Sequence, residues 1–224
     1  MKDSGKHIEA NHTGTRPTGS VSPPFITFSG GSSGSATVEY KSTEVSGVEK
    51  IIVEIDGNIK REEWISVRVV PELVELGEGE GYKLIGKTDS HPYNHFGTLN
   101  TFSYLWDITA AYLETEKGTL RINDISLPSG GAFDICGKWD PSLTCEKYKY
   151  GGHNTHRLGE DVDIDDETTE KKTVTEKSLE KILEDLDYKD NVIIKDEGNH
   201  FHLSFPFIKK IKQQPPPPPG VIVQ

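Results

Sequence analysis

Residues 200–205 of this chain read HFHLSF. In an extended strand, side chains alternate between two faces, so His200 and His202 share one side while Phe201, Leu203 and Phe205 share the other. The aromatic and aliphatic side must be buried. Two histidines therefore project together from a rigid strand toward a polar place, and the fold must set that place beside its core. Only 33% of the 224 residues are hydrophobic, and Gly and Pro number 22 and 13, so a core cannot run evenly through the chain.

The apolar residues are distributed accordingly. Residues 1–35 hold few large apolar side chains and run into SGGSSGSA, which predicts a disordered leader and a Gly/Ser linker. Residues 208–224 carry QQPPPPPGVIVQ, a polyproline tail that reads as an extended spacer. The segment 36–88 is strand-like: ATVEYKS, EKIIVEI and WISVRVV are separated by turn signals such as Asp56-Gly57, and GEGEGYKLIG adds a fourth short strand. This predicts a small all-β module, whose pattern resembles an immunoglobulin-like fragment.

From 89 to 207 the pattern becomes mixed. Leu99, Phe102, Trp106, Ala110 and Leu113 recur at helical spacing, with Gly118 where the helix would stop. Strands are expected at TLRINDIS, EDVDID, NVIIK and NHFHLSF, the last two flanking a tight Glu197-Gly198 turn. Leu179, Ile182, Leu183 and Leu186 mark a second helix, with Thr173 and Glu176 as its capping pair. The predicted class is α+β, a small and mainly antiparallel sheet flanked by helices.

The chain carries 25 Lys and Arg against 36 Asp and Glu, a formal charge of −11. That balance argues against a nucleic-acid partner, which needs a basic face. Residues 161–190 hold twelve acidic and five basic side chains, so the excess is concentrated in what reads as a solvated loop and an outer helix face. No apolar run approaches the roughly 18–20 residues of a membrane span, and MKDSGKHIEANHTG has no apolar signal-peptide core.

Chemistry concentrates in two groups. In GGHNTHRLGEDVDID, His156 and Asp163 are separated by six residues with Gly159 between them. A loop histidine and a strand carboxylate can meet there if the glycine lets the chain turn. The second group is the His200/His202 pair. Two imidazoles and a carboxylate form a zinc set with a fourth position open. Taken singly, each group also reads as a polar exposed face or an acidic sheet edge.

LPSGGAFD at 127–134, GGHNTHRLGEDVDI at 151–164 and HFHLSF together resemble the penicillin-insensitive murein endopeptidases. More broadly they are similar to zinc peptidases that include D-Ala-D-Ala carboxypeptidases. The resemblance covers roughly residues 91–207. It implies Zn2+ as cofactor, with His156, Asp163 and His202 as ligands, and His200 and His153 as active-site histidines outside the metal's coordination. Glu197 stands where murein endopeptidases have a further histidine, and competes with His200 and His153 for the role of base. The resemblance further implies a peptidase acting on amide bonds of D-amino acids in peptidoglycan peptides, in a periplasmic, extracellular or phage-associated setting. A non-catalytic cell-wall-binding protein that keeps the metal is the alternative. In an oxidising setting Cys136 and Cys145 would pair across a short loop, contributing about 3 kcal/mol.

Other signals carry less. DVDIDDETTEKK lacks the Gly and Glu of an EF-hand, having Asp166 and Lys172 at the sixth and twelfth positions. His91 and His95 lie four apart in HPYNHFG, which Pro92 and Gly97 make a loop, and this suggests a structural or substrate-lining role. By alternation Asp161 and Asp165 share the face of Asp163, as candidates to hold a ligating imidazole or as solvated charges. His7 and His12 fall in the leader.

Overall fold

The computed structural model describes residues 11–28, 34–55, 57–132, 137, 139 and 155–206. The first part supplies β1 (Ser20–Ser22), β2 (Glu39–Lys41), β3 (Gly47–Ile55), β4 (Asn58–Val67), β5 (Val74–Glu75), β6 (Tyr82–Leu84) and β7 (Phe96–Gly97). There follow α1 (Leu99–Glu116), β8 (Leu120–Ile122), β9 (Asp161–Asp165), α2 (Glu176–Asp185), β10 (Ile193–Asp196) and β11 (His200–Ser204). The class is α+β, as the sequence predicts, with small and mostly antiparallel sheets and two helices among the described residues.

The main sheet runs β10-β11-β9-β8-β6. Its pairings are antiparallel except the last, where Tyr82–Leu84 lies parallel to Leu120–Ile122. A parallel neighbour needs a crossover, and α1 provides it. Segment 82–84, expected as the fourth strand of the β module, is thus the edge of the main sheet. The other strands of the first part form separate pairs, β1-β2, β3-β4 and β5-β7. Gly57, at φ +78, closes the β3-β4 hairpin, whose ends pair Ile55 with Asn58.

One core joins both helices to one face of the main sheet. Phe102, Leu105, Ile108 and Tyr112 of α1 and Leu179, Ile182 and Leu183 of α2 meet Leu120, Ile122, Val162, Ile164, Phe201 and Leu203. Each such side chain contributes about 1.5–3 kcal/mol by leaving water. All of these residues are buried, so the alternation read in β9 and β11 faces the way the sequence requires.

Two helix ends differ in detail from expectation. Lys117, at φ 54, takes the left-handed position after α1 expected of Gly118. Gly118 instead permits close packing: a Cβ there would lie 2.9 Å from Thr168 Cγ2. The α2 capping pair is Thr175 with Ser178, rather than Thr173 with Glu176, because the helix begins at Glu176 and Thr175 immediately precedes it.

The expectation of a disordered leader does not hold for residues 11–28. Strand β1 pairs with β2, the Arg16 guanidinium donates to the carbonyls of Ser46 and Val48, and the Gly19 amide donates to Glu49. His12, set aside on sequence, lies 3.2 Å from His91 through their Nε2 atoms and stacks on Trp139. The first part also grips the loop after β8: the Val69 and Val70 amides donate to Ser129 O, the Ala132 amide to Glu44 O, and Ser46 Oγ to Gly130 O.

Candidate metal centre

Strands β9 and β11 pair so that His202 lies opposite Asp163, and His200 opposite Asp165. Their apolar residues turn into the core, which leaves the histidines and aspartates together on the other face. The third residue arrives from the loop before β9. Gly159, at φ +70, turns the chain between His156 and Asp163, as the sequence suggested. Any side chain there would also collide, since a Cβ would lie 2.9 Å from Gly97 Cα and 2.7 Å from Leu73 Cδ2. The Gly159 carbonyl accepts from the Thr98 amide and Thr101 Oγ1, tying the turn to the start of α1.

His156, Asp163 and His202 are all buried, and each offers a ligand atom within 4.8 Å of the others. His156 donates from Nδ1 to Ile125 O at 2.8 Å, leaving Nε2 3.2 Å from Asp163 Oδ1. His202 Nδ1 lies 2.9 Å from the same oxygen, and the imidazoles of His156 and His202 meet edge to face with centroids 5.0 Å apart. In a tetrahedral site with bonds near 2.0–2.1 Å, neighbouring ligand atoms are about 3.3 Å apart. The donor set and its spacing therefore suit a metal ion, and this group could bind one.

Asp161 is the carboxylate that holds a ligand-position imidazole. Its Oδ1 lies 3.1 Å from His202 Nε2 and accepts from Ser204 Oγ at 2.6 Å. Asp165 pairs instead with Arg121, at 3.0 Å. Burial pulls the His202 imidazole down, but its hydrogen bonds to Asp161 and Asp163 outweigh this and raise its pKa to about 9. Burial acts on His156 in the same sense, and the Asp163 carboxylate again wins, leaving the group above its ordinary value.

His200 and Glu197 are brought together beside this cluster. His200 Nε2 lies 3.3 Å from Glu197 Oε2 and 3.5 Å from Asp163 Oδ2, while Asn199 Oδ1 approaches His200 Nδ1 at 3.0 Å. Lys195 Nζ lies 2.5 Å from Glu197 Oε1. Lys195, Asp196, Glu197 and Gly198 line a cavity of about 480 Å³ next to these groups. His153, Cys136 and Cys145 lie outside the described residues, so the third base candidate and the cysteine pairing do too.

His91 and His95 serve the framework: both are buried, and His95 Nε2 is 3.3 Å from Ile122 O. Burial holds His95 down to about 4, with the Lys87 charge adding to it. Two buried residues escaped sequence reasoning. Asp124 is pushed up to about 7 by burial, against the hydrogen bond from Asn94 and the charge of His156, with Asp163 adding to the rise. Asn94 is fully buried against it. The only hint was an acid and an amide within otherwise apolar or turn-like runs. No helix among the described residues is long and apolar enough to cross a membrane. Neither a scan against protein-family models nor a search of curated proteins returned a match for this chain.

Proposed function

We propose that this chain is a zinc-dependent peptidoglycan hydrolase that cleaves amide bonds involving D-amino acids in murein stem peptides or cross-links. The observation that carries the reading is the convergence of His156, Asp163 and His202 on one buried point, with His200 and Glu197 at its edge. The resemblance of 127–134, 151–164 and 200–205 to murein endopeptidases supplies the substrate class. Zinc held by these three residues would provide a nucleophile at neutral pH and polarise the scissile carbonyl.

The remaining chemistry falls to the chain's own groups. His200 is the proposed base, taking the proton of the attacking water, and it lies within reach of Glu197, whose carboxylate orients the imidazole. The protonated ring then delivers that proton to the leaving amine. Lys195 holds the other oxygen of Glu197 and so limits the directions in which the carboxylate can turn. Asp161 keeps the His202 ring in the plane its Nδ1 needs. The setting of such an enzyme would be the periplasm, the cell exterior or a phage particle.

The test is incubation of the zinc-loaded protein with muropeptides, with and without a chelator, and identification of products by mass spectrometry. Chelator-sensitive cleavage at a D-amino-acid bond is expected, and zinc binding without cleavage of any muropeptide would overturn the hydrolase reading. His156→Ala and Asp163→Ala should each lose both zinc and activity. Unchanged zinc content in either variant would remove that residue from the ligand set.

A further inference from the structure

We infer that Asn94 is a positioning residue for the metal centre, holding two of its three ligands through the segment 123–126. The inference rests on the reading of His156, Asp163 and His202 as metal ligands. Asn94 comes from the loop before β7, some thirty residues from that segment and sixty or more from the ligands in sequence.

The Asn94 side chain donates from Nδ2 twice, to Asn123 O at 3.1 Å and to Asp124 Oδ1 at 2.5 Å. The backbone carbonyl of Asn94, not its side chain, accepts from the amides of Ile125 at 2.9 Å and Ser126 at 3.1 Å. One fully buried residue thus contacts four consecutive residues. Its neighbours reinforce the grip, through the bridge between His95 and Ser126 and the Phe96 amide donating to Ser126 O.

The gripped segment in turn fixes the ligands. Ile125 O is the acceptor that sets the His156 ring, so a shift of this carbonyl rotates Nε2 away from Asp163. The Asn123 amide donates to Asp163 O and the Asp163 amide to Asp124 O, both at 2.8 Å, which sets where the Asp163 carboxylate starts from. His202 is supported separately, from β11 and Asp161. Loss of the Asn94 side-chain amide frees Asn123 and Asp124 and should therefore loosen Asp163 most, while the backbone carbonyl of Asn94 still holds Ile125 behind His156 and His202 stays in place. Partners that orient metal ligands typically change metal affinity by about 10–100-fold when removed.

The experiment compares zinc affinity of the wild-type chain and Asn94→Ala, by competition with a chromogenic chelator, at a temperature where circular dichroism shows both metal-free proteins folded. Cobalt loading gives a second readout, since its visible bands report ligand geometry. The expected result is a zinc affinity weaker by about 10–100-fold in N94A, with altered cobalt bands. Equal affinities and identical cobalt spectra in the two folded proteins would overturn the inference and leave the metal centre standing. Absence of zinc binding by the wild type would overturn both. If N94A does not fold, Asn94→Ser, which keeps a side-chain donor, is judged by the same two measurements.

Discussion

Strand β11 should separate stability from metal binding by side-chain parity. Leu203 is fully buried in the core shared with both helices, and His202, the preceding residue, faces the metal centre. Leu203→Ala removes three buried carbons from a site walled by sheet and helices, which should cost about 3–4 kcal/mol. For a chain of this size that lowers Tm by roughly 6–16 °C. His202→Ala should cost the metal-free protein only about 1–2 kcal/mol. Neither carboxylate it leaves is stranded, since Asp163 retains His156 and Asp161 retains Ser204. Zinc should close most of that gap. At a free concentration a hundred times Kd it stabilises the wild type by about 2.7 kcal/mol, and L203A by the same increment. A hundredfold weaker site in H202A would gain only about 0.4 kcal/mol under the same conditions. Urea unfolding of the three proteins, each with chelator and with buffered zinc, measures all six values. A full zinc increment in H202A would refute the ligand assignment, and a cost below about 1 kcal/mol for L203A would refute the facing of the strand.

Three further outcomes follow from local geometry. Gly159→Ala forces a Cβ into a left-handed turn already packed against Gly97 and Leu73, so a loss of at least about 1–2 kcal/mol with weakened zinc retention is expected; a wild-type unfolding midpoint would contradict it. Thr175→Ala should destabilise by about 1 kcal/mol through loss of the α2 cap, whereas Thr173→Ala should not disturb that cap; urea midpoints showing equal losses would say that both residues cap or neither does. His95 is held down to about 4, against about 6.5 in an unfolded chain. The unfolded state then binds the extra proton, so this contribution is complete above pH 6.5 and is lost as pH falls toward 4, by up to about 3 kcal/mol. In chelator, the wild type should therefore lose about 2–3 kcal/mol more than His95→Asn between pH 7.5 and 4.5, and equal losses would count against the burial of a neutral ring.

Those parts of the molecule written in local periodicity were legible in the sequence. Alternation in DVDID and HFHLSF fixed which side of β9 and β11 meets the core, and with it the common face of Asp163 and His202. Helical spacing located α1 and α2, and Gly159 marked the turn that brings in His156. Contacts between distant segments were not legible. Nothing near Asn94 announces that its amide will clamp a loop thirty residues later, because a single polar residue has no period. The same holds for Arg16, whose role is to satisfy two backbone carbonyls on β3 and its entry, and for Tyr82–Leu84. That short strand alternates equally well in either sheet, and its place is decided by the α1 crossover and by the exposed edge of β8.

The parallel β6 edge bears on how the chain can be dissected. A fragment beginning at residue 89 would leave the hydrogen-bonding groups of β8 open along one side and withdraw Tyr82 and Leu76 from beneath α1. An unsatisfied edge invites pairing with a second molecule, so such a fragment should self-associate even though it contains the whole metal centre. The smallest piece worth expressing starts before Val74, keeping the strand that seals the sheet together with the residues that could hold a metal ion.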